Sequence, residues 1–379
     1  MVVGQQLLDG PEQGGSVAGG VGAEAFGSWH GISLDKLTGG PVTSESSGLP
    51  VSLAGGGHVR RVRYQEFGGP EVLTVEEAER PAPGEGQVLI RAEAIGVNFV
   101  DTRFRRGGEG IFRRPLPGRP TGDVAGIVVE VGPGVDPGLA GRRVAALAED
   151  AYAEFVVAEA RWLADVPAGL SAADAVMLPM AAPVALRVLR SAGLRRGESV
   201  LVHSAAGGIG HLIVQLARVL GAGVVIGATS GDKGDFVRSL GADLAVDYAV
   251  PGWAGRVREA LPAGVDVVLD AAGGVLMREG VALLAPFGRA VAYGAASGDP
   301  GEVPVGSLFA LRTISGFNLT AWRRAAPDVA RQEMDEVANL FAAGRLRTRV
   351  HAELPLAEAA TAHKLMEERA HSGRLLLRP

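Results

Sequence analysis

Ser199-Val-Leu-Val-His-Ser-Ala-Ala-Gly-Gly-Ile-Gly210 decides the fold. A short apolar strand runs into a loop of small residues. A helix follows at once, His211-Leu-Ile-Val-Gln-Leu-Ala-Arg-Val-Leu220, and then a second apolar strand, Val224-Val-Ile-Gly-Ala228. That is a βαβ unit with a glycine turn at its first crossing. Gly207 allows close approach of a ligand to the backbone, and Gly210 allows the helix to start tight against the strand. The free amides and positive dipole end of the helix suit a diphosphate. Ala205 stands at the first glycine of the fingerprint, so the pattern is A-x-G-G-x-G. A glycine-rich turn in another kind of α/β domain is the competing reading.

The second strand of such a unit ends in Asp or Glu when the ribose carries a free 2′-hydroxyl, because the carboxylate accepts from the diol and repels a 2′-phosphate. Here it ends in Ala228-Thr229-Ser230, with Lys233 beyond. Asp232 lies past the strand end and is expected to face solvent. Tyr248 follows a third strand, Leu244-Ala-Val-Asp247. Thr229, Ser230, Lys233 and Tyr248 suit a phosphate monoester, so NADPH is expected over NADH. A solvated lysine and a packing tyrosine are the structural alternative.

Outward from this unit, strands and helices alternate over about 181–320, with further buried strands at Val265-Asp-Val-Val-Leu-Asp270 and Gly288-Arg-Ala-Val-Ala-Tyr293. Before it, short strands and turns dominate: Val59–Tyr64, Val88–Ala94 and Gly126–Val131. Ser171, with Asp174 three residues on, signals a helix start. After it come a helix over Val329–Ala343, a strand over Val350–Leu354, a helix from Leu356 and a last strand over Arg374–Arg378, a tail expected to return to the first region. Residues 1–58 are rich in Gly and Ser without sustained periodicity and are expected to be a disordered extension, or sequence upstream of the true start.

The chain of 379 residues has room for two full cores, and its 47% hydrophobic and 21% charged content is that of a globular protein. A net charge of -5 argues against bulk electrostatic binding of nucleic acid. No apolar run reads as a membrane span, and the first residues do not read as a secretory signal. There is no cysteine, hence no disulfide, cysteine–zinc site or cysteine nucleophile. A cytoplasmic location is expected, with no nucleic-acid or membrane partner.

The order and spacing of several motifs resemble the zinc-independent quinone oxidoreductases of the medium-chain dehydrogenase/reductase superfamily. They are Glu66-Phe-Gly-Gly-Pro-Glu-Val-Leu73, Ala94-Ile-Gly-Val-Asn-Phe-Val-Asp-Thr102, Gly122–Gly134, Leu201–Gly210, Asp270-Ala-Ala-Gly-Gly274 and Gly373-Arg-Leu-Leu-Leu377. The resemblance covers residue 59 to the end. It implies an α/β chain: a GroES-like, mainly-β catalytic domain (59–180, completed by 320–379) beside a Rossmann-type doubly wound parallel sheet (181–319). It further implies a homodimer, no metal, and NADPH-dependent reduction of a small-molecule quinone or activated alkene. Asn98 and Asp101 match the substrate-side segment, Lys233 and Tyr248 the 2′-phosphate contacts, and Gly207, Gly208, Ile209 and Gly210 the diphosphate loop. Ala206, Ala271, Tyr293, Gly294, Phe317 and Arg374 are expected to touch the cofactor as well.

Two departures stand out. Arg103 replaces a tyrosine common after Asp-Thr in the family, and Pro179-Met-Ala-Ala-Pro-Val-Ala185 replaces a G-L-T-A pattern. Asn98, Asp101 and Arg103 are the candidate catalytic residues. Asn98 is expected to donate to a developing enolate, and Arg103 to supply charge or bind an acidic substrate. Asp101 also reads as a helix N-cap, Arg103 as a surface arginine, and His203 as a structural histidine. An enoyl-thioester reductase and an NADPH-binding protein with little turnover are the alternatives to a quinone or enone reductase.

Overall fold

The computed structural model describes residues 57–108 and 112–379. The expected extension 1–58 thus lies outside the described residues except at its end, where His58 already opens a strand.

The first half builds a mixed sheet. β1 (His58–Arg63) and β2 (Thr74–Glu79) form an antiparallel pair. β3 (Gln87–Gly96) leads into α1 (Phe99–Arg105), and β4 (Gly122–Val131), β5 (Arg143–Ala148), β6 (Phe155–Glu159) and the short β7 (Ala164–Asp165) follow. β3 pairs with both β4 and β6, and β4 with β5, all antiparallel. The sheet curls over a core that includes Val88, Ile90, Val124, Val144 and Val156. α2 (Ala172–Ala175) is capped as expected: Ser171 Oγ accepts from the Asp174 amide at 3.0 Å. α3 (Ala181–Ser191) is apolar on most of its surface and packs against the second sheet's core.

That second sheet is parallel. β8 (Ser199–His203), α4 (Gly210–Val219), β9 (Val224–Thr229), α5 (Gly234–Ser239), β10 (Leu244–Asp247), α6 (Trp253–Ala260), β11 (Val265–Asp270), α7 (Gly274–Leu283), β12 (Leu284–Ala292) and β13 (Thr313–Gly316) alternate along the chain. The strand order is β10-β9-β8-β11-β12-β13, every neighbour parallel. Counting from β8, this is 3-2-1-4-5-6, the doubly wound Rossmann order. Its strands reverse direction of spread between β8 and β11, which opens a crevice at their carboxyl ends. β8 is buried throughout, as a central parallel strand must be. β12 starts four residues earlier than the Gly288–Tyr293 reading, and Tyr293 lies just past its end.

The tail comprises α8 (Leu319–Ala325), α9 (Pro327–Ala342), β14 (Val350–Pro355), α10 (Ala359–Glu367) and β15 (Arg374–Arg378). β15 runs parallel to β14 and antiparallel to β3, so the last strand of the chain completes the mixed sheet. Leu356–Glu358 form a tight 3₁₀ turn before α10 instead of its first turn. Among the described residues no helix is long and apolar enough to cross a membrane.

Candidate active site

The glycine loop sits at the crevice. Ser204, in the left-handed region at φ 55°, makes the sharp turn out of β8, one residue before Ala205. The Ala205 amide donates to Ala228 O at 3.0 Å, which pins the loop to β9. A Cβ on Gly210 would stand 2.1 Å from Ser204 O, so only glycine fits that helix start. Gly207 and Gly208 are less crowded, a Cβ there standing 3.2 Å from Ser204 O and 3.4 Å from Arg374 Nη1, and among the described residues the amides of Gly208 and Ile209 have no partner. Free amides at a helix N-terminus, beside a surface without side chains, fit a dinucleotide diphosphate. Sequence reasoning missed His211. This buried ring contacts Gly207 O through Nδ1 at 3.0 Å, and burial pushes its pKa down to about 4, so it braces the loop as a neutral group.

Opposite the loop stands a buried polar network. Asn98 occupies the N-cap position of α1, and its Oδ1 accepts from Arg374 Nη1 at 2.9 Å. Arg374 Nη2 donates to Asp123 Oδ2 at 2.5 Å. The same guanidinium comes up to the glycine loop, where a Cβ on Gly208 would lie 3.4 Å from Nη1. Three elements distant in sequence thus converge: α1, β4 and β15. Asp123 was not among the expected residues. A carboxylate at the head of the apolar run Val124–Val129 was the available signal, since such a group is buried only with a partner.

Asp101 is not an N-cap; it lies in the first turn of α1, three residues past the cap position. Its Oδ1 accepts from the Thr121 amide at 2.6 Å and its carboxylate from the Thr121 hydroxyl at 3.0 Å. Burial pushes its pKa up to about 7 against the opposing Thr121 hydrogen bonds. Arg103, on the same helix, is half-buried and lies against Gly298 of the loop after β12.

At the adenosine end, Thr229 closes β9 and its carbonyl accepts from the Tyr248 amide at 2.9 Å. Asp232 is exposed. Ser230 is half-buried beside the strand end. Lys233 precedes α5, and its ammonium donates to the Arg369 carbonyl of the loop before β15. Burial lowers its pKa, with Arg369 adding to the effect. The Tyr248 side chain packs on the cluster of Ile226, Val246 and Trp253. The carbonyl of Ala206 accepts from the Gly373 amide at 2.7 Å, so the same C-terminal loop is also tied to the glycine loop.

Farther along the crevice, the Tyr293 amide donates to Asp270 O and the Phe317 amide to Ala292 O, both at 2.8 Å. Gly294 is exposed and close to Ala271; a Cβ there would meet Ala271 O at 2.8 Å. The Tyr293 hydroxyl is buried with no partner within the protein, and burial beside Asp270 raises its pKa. His203 is wholly buried, with Nδ1 2.6 Å from Asp270 Oδ1, as befits a structural group.

Comparison with known proteins agrees with this architecture. Residues 84–168 match the alcohol dehydrogenase GroES-like domain, and residues 240–377 match a domain described as zinc-binding dehydrogenase. A 2-haloacrylate reductase from Burkholderia sp is 35% identical over 82% of this chain and 96% of its own length. A quinone oxidoreductase from Pseudomonas aeruginosa is 32% identical over 84% and 99%. A mycobacterial protein solved in complex with NADPH superposes with a TM-score of 0.78 at 34% identity, over 85% of this chain and all of that one. The fold and crevice are those of a nicotinamide-dependent oxidoreductase. The chain belongs to the zinc-independent, quinone oxidoreductase-like branch of the medium-chain dehydrogenase/reductase superfamily. Despite the zinc-binding description of the matched domain, the chain has no cysteine, and among the described residues no three His, Asp or Glu gather as metal ligands.

Proposed function

We propose that the protein is an NADPH-dependent reductase that passes a hydride to a quinone or an activated alkene and needs no metal. Residues 59–180 with 320–379 would form the catalytic lobe and 181–319 the dinucleotide lobe. The observation that carries the cofactor choice is the end of β9. Hydroxyls stand there in place of a carboxylate, and Lys233, three residues past Ser230, donates to the Arg369 carbonyl. Ala206, Gly207, Gly208, Ile209 and Gly210 would hold the diphosphate, Thr229, Ser230, Lys233 and Tyr248 the phosphorylated ribose, and Ala271, Tyr293, Gly294, Phe317 and Arg374 the nicotinamide half.

When bound, the reduced nicotinamide supplies two electrons as hydride. The chain's part is to orient the acceptor, exclude water and stabilise charge. Asn98 suits the last task. Its carbonyl accepts from Arg374 and its NH₂ faces the Asp123 carboxylate, which fixes the amide and leaves one of its two N–H groups as donor. A reduced quinone takes its protons from solvent. An enone needs its oxygen steadied while charge develops, and the Asn98 amide supports that.

The expected homodimer would form along β13. Among the described residues this strand pairs only with β12, and all four of its residues are exposed. Phe309, Leu311, Ile314 and Phe287 lie exposed in or beside it. An open edge with apolar residues is a surface that a second copy would cover.

Initial rates of NADPH oxidation with a naphthoquinone, an enone and a crotonyl thioester, repeated with NADH, test this reading. Turnover with quinone or enone and NADPH is expected. Preference for the thioester would favour the enoyl-thioester reductase, and tight NADPH binding without turnover a binding protein.

A further inference from the structure

Three neighbouring arginines meet different surroundings. Arg105 is fully buried, and it and Arg106 both donate to Glu367. Among the described residues, Arg103 meets no carboxylate. Its ring neighbour is Phe112, whose centroid is 6.0 Å from the guanidinium carbon, the outer limit for a cation–π contact. On its other side lies Gly298, where a Cβ would stand 2.8 Å from Nη2 and 3.1 Å from Nη1.

Gly298 ties this guanidinium to the crevice. Its loop is fastened to the turn after β11, with Ala296 donating to Ala271 O and Ser297 to Ala272 O, each at 2.9 Å. Arg103 therefore reaches from α1, one turn and a half past Asn98, to the carboxyl end of the parallel sheet. The acid beside Gly298 does not meet it: the Asp299 carboxylate accepts from the Gly301 amide at 2.8 Å. The planar fork of a guanidinium matches a carboxylate in bidentate fashion.

We propose that Arg103 anchors a carboxylate carried by the substrate, so that the alkene this enzyme reduces is an α,β-unsaturated acid. The proposal rests on the reductase reading above and narrows it. In the step, the β-carbon of the acid gains the hydride as a new C–H bond. The π pair moves to the α-carbon and is shared with the carboxylate, and the α-carbon takes a proton from water. The acid is reduced by two electrons and the nicotinamide oxidised by two. Arg103 offsets charge as it builds on the carboxylate oxygens. A neutral quinone makes no use of it.

The test compares 2-chloroacrylate with its methyl ester, the same alkene without the charge, in wild type, Arg103→Gln and Arg103→Lys. Calorimetric binding of 2-chloropropionate, the saturated acid, to protein loaded with oxidised cofactor gives a readout independent of turnover. In Arg103→Gln the acid-to-ester ratio of kcat/KM is expected to fall at least thirtyfold, mostly through KM, and binding of 2-chloropropionate to vanish. Arg103→Lys should recover part of both. An unchanged ratio, unchanged 2-chloropropionate binding, or an equal loss of NADPH affinity would overturn the anchor. If the wild type oxidises NADPH with neither acid, ester nor naphthoquinone, the reductase reading fails instead. Loss or persistence of 2-chloropropionate binding in Arg103→Gln then still decides the anchor.

Discussion

The guanidinium of Arg374 and the carboxylate of Asp123 meet at 2.5 Å with side chains 3% and 0% exposed, although 251 residues separate them. The pair joins the last strand of the chain to β4, and through Nη1 it also holds Asn98. Removing one partner strands a buried charge. Asp123→Ala is expected to cost about 3–5 kcal/mol in urea denaturation. Asp123→Asn, which keeps the shape and one acceptor, should cost less stability yet still lower turnover by loosening Asn98. Wild-type stability in the alanine variant would show that the pair contributes little.

Lys233 gives a cofactor test. Lys233→Ala is expected to lose on the order of 1.5–3 kcal/mol of NADPH binding, roughly ten- to a hundredfold in Kd, with NADH affinity nearly unchanged. Fluorescence titration with both cofactors reads this directly. Equal losses would move Lys233 off the 2′-phosphate.

Asp101 sets a pH dependence. Its folded pKa, about 7, lies above the unfolded carboxylate value, so the folded state holds the proton more tightly. The stability this lends is complete below about pH 4 and is lost as pH rises through 7, a change of roughly 4 kcal/mol. Asp101→Asn should flatten that part of the stability–pH curve. Identical slopes between pH 4 and 8 in the two proteins would refute it.

The β13 edge predicts assembly. Ile314→Lys places a charge on an exposed strand next to Leu311 and Phe309. It should shift the protein from dimer to monomer in sedimentation while leaving the melting temperature within a few degrees. A wild-type monomer at micromolar concentration would rule out this interface.

Local patterns carried far in this sequence. The run from Ser199 to Ala228 reads directly as strand, loop, helix and strand because apolar periodicity and the Gly210 constraint are both local. The hydroxyls at the end of β9 are local too. What stayed hidden depends on partners brought together by the fold. Thr121 makes Asp101 a buried acceptor, and nothing near Asp101 in the chain announces Thr121. Asp123 gains its meaning only from Arg374, and Arg103 from Gly298. The early start of β12 was masked by Pro286 and Gly288, two residues that break a strand pattern, and Phe287 between them takes φ 64°.

The C-terminal loop holds Ala206 through the Gly373 amide and Lys233 through the Arg369 carbonyl, and Arg374 follows at once. A ribosome therefore releases the Rossmann strands long before the residues that finish their nucleotide crevice exist outside the exit tunnel. Coenzyme that arrives before that stretch has folded meets a crevice still lacking the loop that holds both Ala206 and Lys233.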